Sequence, residues 1–166
     1  MQTPPFPLTE QSEYSSPIGI LQIGVLEHSL AWIGLPIMDP INSNMTKKRD
    51  SLTMKQIKIA LDGYFANANY SFDLPLFLHG SPFQKKVWQA LQALPSGQVL
   101  SYSDLAGKLK SHPRAIGTAC RTNRIPIVIP CHRILAKSGI GGYADAQPGK
   151  WPQMKLWLLK HEKVAI

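Results

Sequence analysis

Residues 125–134 read Ile-Pro-Ile-Val-Ile-Pro-Cys-His-Arg-Ile, and no other stretch of the chain restricts its fold as tightly. Pro126 and Pro130 fix their own backbone torsions and remove two N–H donors. The expectation is an extended, apolar segment that runs through a core and delivers its last residue, Cys131, at a defined point. Neighbours in an extended segment point to opposite faces, so Cys131 and His132 are not expected to touch. A hydrogen bond between them needs a local bend or a bridging water. His132 and Arg133 set positive charge beside the thiol, and positive charge favours the nucleophilic thiolate.

A thiol nucleophile is activated by a base, and the base is oriented by a third group that can lie far away in sequence. Besides His132, the chain offers His28, His79, His112 and His161 as bases. Asp104, Asp145 and Glu162 are the carboxylates available in the second half. From the residues alone, Cys131–His132 with one of these three is a candidate nucleophile system. The other cysteine, Cys120, falls on the apolar side of a helix pattern and reads as a structural thiol.

The chain has 166 residues, enough for one domain or two small ones, and 44% are apolar against 17% charged, a globular balance. Eighteen Lys and Arg against ten Asp and Glu leave +8, which favours an anionic partner, nucleic acid first and a membrane surface second. Two cysteines are too few for a disulfide scaffold or a cysteine zinc finger, so both thiols are expected to be free and the compartment reducing. The start of the chain lacks the basic end and apolar core of a signal peptide, and no apolar run is long enough for a bilayer span. A cytoplasmic location, or a nuclear one in a eukaryote, follows as the expectation.

Hydrophobic periodicity divides the chain into an N-terminal α/β domain, 1–78, and a mostly helical domain, 79–166. Residues 1–16, rich in Pro, Ser and Gln, read as a loose leader. Two strands follow, from Ile18 to Leu26 and onward to Leu35, around a turn at Glu27-His28-Ser29. Residues 36–50 read as loop. Met54, Ile57, Leu61, Tyr64 and Phe65 mark one face of a helix. In the second domain, Ser81 is an N-cap with Pro82 at the first helical position, and Pro95-Ser96-Gly97 ends that helix. Ser101 and Asp104 are spaced as a capping box. A short helix follows, then a second from Pro113, and two such helices joined by a tight turn have the form of a helix-turn-helix. Arg114, Arg121 and Arg124, with small residues at 115, 117, 118 and 119, suit close approach to nucleic acid. Residues 154–162 form a closing amphipathic helix.

Taken together, the Pro-Cys-His-Arg motif, the block "RAIGTACRTNRIPIVIPCHRI", the block "SPFQKKVWQALQALPSGQVLSYSDLA" and the closing "MKLWLLKHE" resemble the O6-alkylguanine-DNA alkyltransferase family, the methylated-DNA–protein-cysteine methyltransferases. The likeness runs from about Ser81 to Glu162. It implies an RNase H-like N-terminal domain and direct reversal of O6-alkylguanine, and of O4-alkylthymine, in a flipped-out nucleotide. Cys131 would accept the alkyl group once and irreversibly. His132 would deprotonate it through a bridging water, with Glu162 orienting His132. The resemblance further assigns Tyr102 to proton delivery to the leaving base, Lys155 to the base pocket and Tyr143 to the loop that closes over it. Asn123 would brace the turn against the active-site segment, Pro126 would line the substrate site, and the carbonyls of Cys131 and Ile134 would read the guanine amino group. Arg114 would enter the base stack, and Ala115, Gly117, Thr118 and Arg121 would contact double-stranded DNA through the minor groove.

No cofactor and no metal are implied: some relatives bind zinc through N-terminal cysteines, and this N-terminal part has none. A monomer that clusters on DNA is the expected state. One departure is the stretch "YADAQPGKWPQMK", which lacks the family's glycine pair after Tyr143 and is longer. It bears on how bulky an alkyl group the pocket admits. Two rival readings, a Cys-His hydrolase and a non-catalytic recogniser of alkylated DNA, are separated from the first by whether Cys131 is alkylated.

Overall fold

Gly19–Leu26 (β2) and Ser29–Gly34 (β3) form a hairpin because they are apolar runs separated by only two residues. Those two, Glu27 and His28, both take positive φ (48° and 60°), the geometry a two-residue hairpin turn demands. The computed structural model describes residues 4–36, 49–141 and 150–166. It divides into two compact units, 1–79 and 80–166. The first is a three-stranded antiparallel sheet in the order Glu10–Ser16 (β1), β2, β3 with a helix, and the second is mainly helical.

In the first unit, Leu21 to Val25 and Leu30 to Gly34 are buried, as a strand covered on both faces requires. Helix α1, Leu52–Ala66, packs its Met54, Ile57, Ala60, Leu61 and Tyr64 face inward. Its N-cap is Ser51, whose hydroxyl accepts from the Met54 N–H at 3.1 Å. The returning chain adds to the sheet beside β3: Leu30 N–H donates to the Pro75 carbonyl at 2.8 Å, and Phe77 N–H to the Leu30 carbonyl at 2.9 Å.

The loose leader expected over residues 1–16 is corrected here, because Glu10–Ser16 is a strand, β1, paired along its whole length with β2. Its inward positions are Ser12, Tyr14 and Ser16, so the apolar alternation that marks a half-buried strand is missing. Hydrogen bonds replace it. The Tyr14 hydroxyl donates to Asp62 at 2.6 Å, the Lys58 ammonium donates to Ser12 at 2.7 Å, and Ser12 donates to Asp50 at 3.0 Å. The loop expected over 36–50 lies mostly outside the described residues.

In the second unit, Ser81 caps α2 (Pro82–Gln92) in a reciprocal box with Gln84. Gly97, at φ +80°, carries the chain out of the turn that ends this helix; a Cβ there would lie 3.1 Å from the Glu162 carbonyl. Leu100–Ser101 (β4) pairs in parallel with Ile134–Leu135 (β5), and Ser101 caps α3 (Tyr102–Lys108) against Asp104. Helices α3 and α4 (Pro113–Arg121) pack on each other across a four-residue connection, 109–112. Helix α5 spans Lys150–His161. No helix among the described residues is long and apolar enough to cross a membrane.

The extended segment expected over 125–130 is also corrected. Ile129 N–H donates back to the Ile125 carbonyl at 2.9 Å, closing a turn in which Ile127 sits at φ +75°. Pro130, at φ −81° and ψ 64°, then makes an inverse γ-turn that brings Cys131 N–H to the Ile129 carbonyl at 2.8 Å. Cys131–Arg133 is a single 3-10 turn, not a strand end. Prolines fix φ, and φ near −65° serves turns as readily as extended chain.

Candidate active site

Coiling the chain at Cys131–Arg133 turns one side chain, Cys131, to Asn123 and the next two, His132 and Arg133, to Glu162. All are buried, with Cys131 3%, His132 1% and Arg133 8% exposed. The Cys131 sulfur receives the Asn123 side-chain amide at 3.2 Å. The same amide donates to the Ile129 carbonyl at 2.9 Å, and the Asn123 oxygen accepts from Ile125 N–H at 3.0 Å. One side chain at the end of α4 thus holds both ends of the turn and the sulfur it presents.

His132 Nε2 lies 2.8 Å from Glu162 Oε1. With the proton on Nε2 donated to that carboxylate, the lone pair is on Nδ1, which is buried and has no hydrogen-bond partner among the described residues. The imidazole is therefore arranged as a base. Burial pushes its pKa down, against the opposite pull of Glu162, and the positive charges of Arg133 and Lys155 push it the same way as burial. Burial alone would raise the Glu162 pKa, but hydrogen bonds from His132 and Arg133 outweigh it and hold the carboxyl well below the usual range. Arg133 grips Glu162 through Nε at 2.9 Å and Nη2 at 2.9 Å, and its Nη1 donates to the Leu94 carbonyl.

Around the sulfur lie Tyr102, Cys120 and Lys155. Burial, with the nearby cysteines, pushes the Tyr102 phenol up to about 12, so it keeps its proton. Burial likewise raises the Cys120 thiol, and Cys131 adds to it, which leaves Cys120 protonated and inert. Lys155, 2% exposed, donates to the Ile134 carbonyl at 2.7 Å. Burial pushes its pKa down, while both cysteines act the other way. The Cys131 carbonyl accepts from Ile134 N–H and the Ile134 carbonyl accepts from Lys155, so both carbonyls named for reading a base already take part in internal hydrogen bonds. Pro126 is buried within the turn that precedes the cysteine.

Helix α4 buries Ile116, Ala119 and Cys120 and leaves Arg114, Thr118 and Arg121 exposed, with Ala115 and Gly117 partly covered. Arg114, Gly117 or Thr118, and Arg121 repeat at helical spacing and share one face. The far end of α4 is anchored from α2. Trp88 Nε1 donates to the Ala119 carbonyl at 2.8 Å, and Gln84 Nε2 donates to the Thr122 hydroxyl at 2.9 Å.

Of the bases left open by the sequence, His132 is the one paired with Glu162 at hydrogen-bond distance. His112 is exposed at the start of α4, His161 stacks on Trp157 at 5.0 Å, and His28 and His79 belong to the first unit. Of the acids, Asp104 is engaged in the α3 cap and Glu162 faces His132. Asp145 and Tyr143, with the stretch 144–149, lie outside the described residues. Sequence reasoning gave Arg133 only as positive charge beside the thiol, whereas its guanidinium is turned onto Glu162, and it passed over Trp88 and Gln84 as site-building residues. For Arg133 a signal existed: an arginine joined to an apolar, proline-rich segment must be buried, and a buried arginine needs an acid.

Comparison with known proteins gives the same identity from independent directions. The family model described as 6-O-methylguanine DNA methyltransferase, DNA binding domain, matches residues 82–164. The constitutive methylated-DNA–protein-cysteine methyltransferase of Bacillus subtilis (strain 168) is 39% identical over 123 residues, covering 72% of this chain and 72% of that protein. The methylated-DNA–protein-cysteine methyltransferase of Saccharolobus islandicus is 33% identical over 153 residues, covering 92% and 95%. Among solved structures, Mycobacterium tuberculosis OGT in complex with DNA matches with a TM-score of 0.74 at 31% identity, over 91% of each chain. With a mixed α/β fold, a sheet-bearing N-terminal unit and a helical C-terminal unit built around Cys131, this chain belongs to the methylated-DNA–protein-cysteine methyltransferase family.

Proposed function

We propose that this protein repairs DNA by transferring the alkyl group of O6-alkylguanine, and of O4-alkylthymine, to Cys131, once per molecule. The observation that carries the proposal is the buried set Asn123–Cys131 and His132–Glu162, in which a thiol held at 3.2 Å by an amide adjoins an imidazole aligned at 2.8 Å by a carboxylate. His132 takes the thiol proton at Nδ1 through a bridging water. The thiolate attacks the alkyl carbon, the S–C bond forms as the C–O6 bond breaks, and the electron pair leaves with the base. Tyr102 delivers a proton to that base and Lys155 borders it. The product is a thioether, which no group in the site can reverse.

The nucleic-acid partner is double-stranded DNA, bound by α3 and α4 as a helix-turn-helix whose second helix enters the minor groove. Arg114 fills the space of the extruded nucleotide, and Ala115, Gly117, Thr118 and Arg121 contact the backbone and groove. The +8 balance supplies affinity that falls as salt rises. The first unit is read as RNase H-like, the protein as a monomer that clusters on DNA, and its place as the cytoplasm or the nucleus.

Intact mass after incubation with duplex DNA containing O6-methylguanine tests the reading. One methyl group should be gained per molecule, on Cys131, without turnover, and Cys131→Ala should bind the DNA unlabelled. Repeated turnover would favour a hydrolase, and binding without any label a non-catalytic recogniser. A methyl group that still appears in Cys131→Ala would remove this cysteine from the mechanism.

A further inference from the structure

Arg133 has no part in the steps above, yet it holds Glu162 more completely than His132 does. Its Nε and Nη2 form a two-point fork on the two carboxylate oxygens, each at 2.9 Å, while Oε1 also faces His132 at 2.8 Å. The third arm of the guanidinium is tied to the Leu94 carbonyl at the end of α2. Glu162 is 4% exposed, so little solvent screens these charges.

The charges can be counted. A guanidinium cannot give up its proton, so Arg133 is positive throughout, and the Glu162 it holds is negative. With His132 neutral the cluster sums to zero. With His132 protonated it carries one net positive charge in a buried site. A carboxylate facing an imidazole alone would stabilise the imidazolium instead, and an imidazolium has no lone pair with which to take the thiol proton.

We propose that Arg133 is a positioning residue that keeps His132 in its neutral, proton-accepting form by neutralising the carboxylate that would otherwise trap a proton on it. The inference rests on the alkyl-transfer reading. The other charged groups that face His132 agree with it. From the α5 side these are Glu162, which draws a proton toward the imidazole, and Lys155, which repels one. From its own turn Arg133 repels one too; α2 also packs on this turn, and Leu94, two residues past its end, presents its carbonyl to Arg133. Arg133 thereby separates two roles of Glu162: the carboxylate still fixes which nitrogen of His132 bears the proton, but no longer raises its basicity without limit.

The test is the pH profile of single-turnover methyl transfer from O6-methylguanine DNA to the full-length chain, its Arg133→Gln variant and its Arg133→Lys variant. Arg133→Gln should shift the acid limb upward by about one pH unit or more, which near the limb is about a tenfold loss that alkaline pH restores. Arg133→Lys, which keeps the charge without the fork, should lower the plateau while leaving the limb near its wild-type position. A Gln variant with a lowered plateau and an unmoved limb would overturn the inference, since loss of structure alone predicts that. The wild-type chain supplies a check that does not depend on any variant's folding. By ¹⁵N NMR its His132 should stay neutral, protonated on Nε2, well below the ordinary imidazole midpoint of about 6.5, and an ordinary midpoint overturns the charge argument. Failure of the wild-type chain to methylate at all would instead overturn the alkyl-transfer reading.

Discussion

Asn123 ties the reacting sulfur and both ends of the turn before it through one side chain. Its oxygen accepts from Ile125 N–H, and its amide donates to both the Ile129 carbonyl and the Cys131 sulfur. Between those contacts the backbone passes through Ile127 at φ +75°, where a β-branched residue costs about 1–3 kcal/mol. The turn persists because its ends are tied, and Asn123 is the tie. Asn123→Ala leaves the buried Ile125 N–H unpaired, a penalty of about 1–3 kcal/mol that denaturant unfolding should reveal. Methyl transfer should slow as well, measured where the variant is fully folded, because the sulfur loses the donor that fixes it. Wild-type stability in this variant would mean that Ile125 finds another partner and that the turn does not depend on Asn123.

At the scale of elements, legibility followed the kind of signal each segment carries. The α2 and α3 starts were readable because caps are local: Ser81 with Gln84 and Ser101 with Asp104 act over three residues. The apolar hairpin β2–β3 was readable for the same reason. Strand β1 was not, because what buries it is a set of hydroxyl and carboxylate contacts with residues 38 to 48 positions away. The turn before Cys131 was misread as extended because proline constrains φ alone, while ψ and the Asn123 ties decide the path. Within the site, the pairing of His132 with Glu162 needed 30 residues of intervening chain to be folded, so periodicity left three acids open, and the family resemblance named one. Arg114 on α4 carries the element's own prediction. It is exposed at the start of a helix whose far end is anchored by Trp88 and Gln84, away from the reacting sulfur. Arg114→Ala should therefore slow repair of duplex DNA severely while sparing reaction with a free O6-benzylated guanine base. Equal losses on both substrates would mean that Arg114 does not act in extruding the nucleotide.

For the molecule as a whole, the buried relay ties stability to pH in a direction that can be worked out. His132 is held neutral, with its pKa pushed down mainly by burial. In the unfolded chain the imidazole takes a proton below about pH 6.5, and the folded chain refuses it, so unfolding is favoured as pH falls through that value. Glu162 is held ionised, so its contribution is complete above the ordinary glutamate value of about 4.3 and is lost as pH falls below it toward the depressed folded value. The two effects have the same sign and act in sequence. The thermal midpoint should be level just above neutrality, decline from about pH 6.5, and decline more steeply below about pH 4.3. Both groups belong to the unit 80–166, whereas the carboxylate with a lowered pKa in the first unit, Asp50, is paired with Lys58 near the surface, where solvent weakens the coupling. Hydrogen exchange in mild acid should thus show α5 and the Cys131–Arg133 turn losing protection before β1, β2 and β3. Glu162→Gln, having no carboxyl to protonate there, should lessen the steeper decline, and its profile below about pH 4.3 should run flatter than that of the parent chain. Retention of the steep decline in Glu162→Gln would place the acid sensitivity elsewhere in the fold.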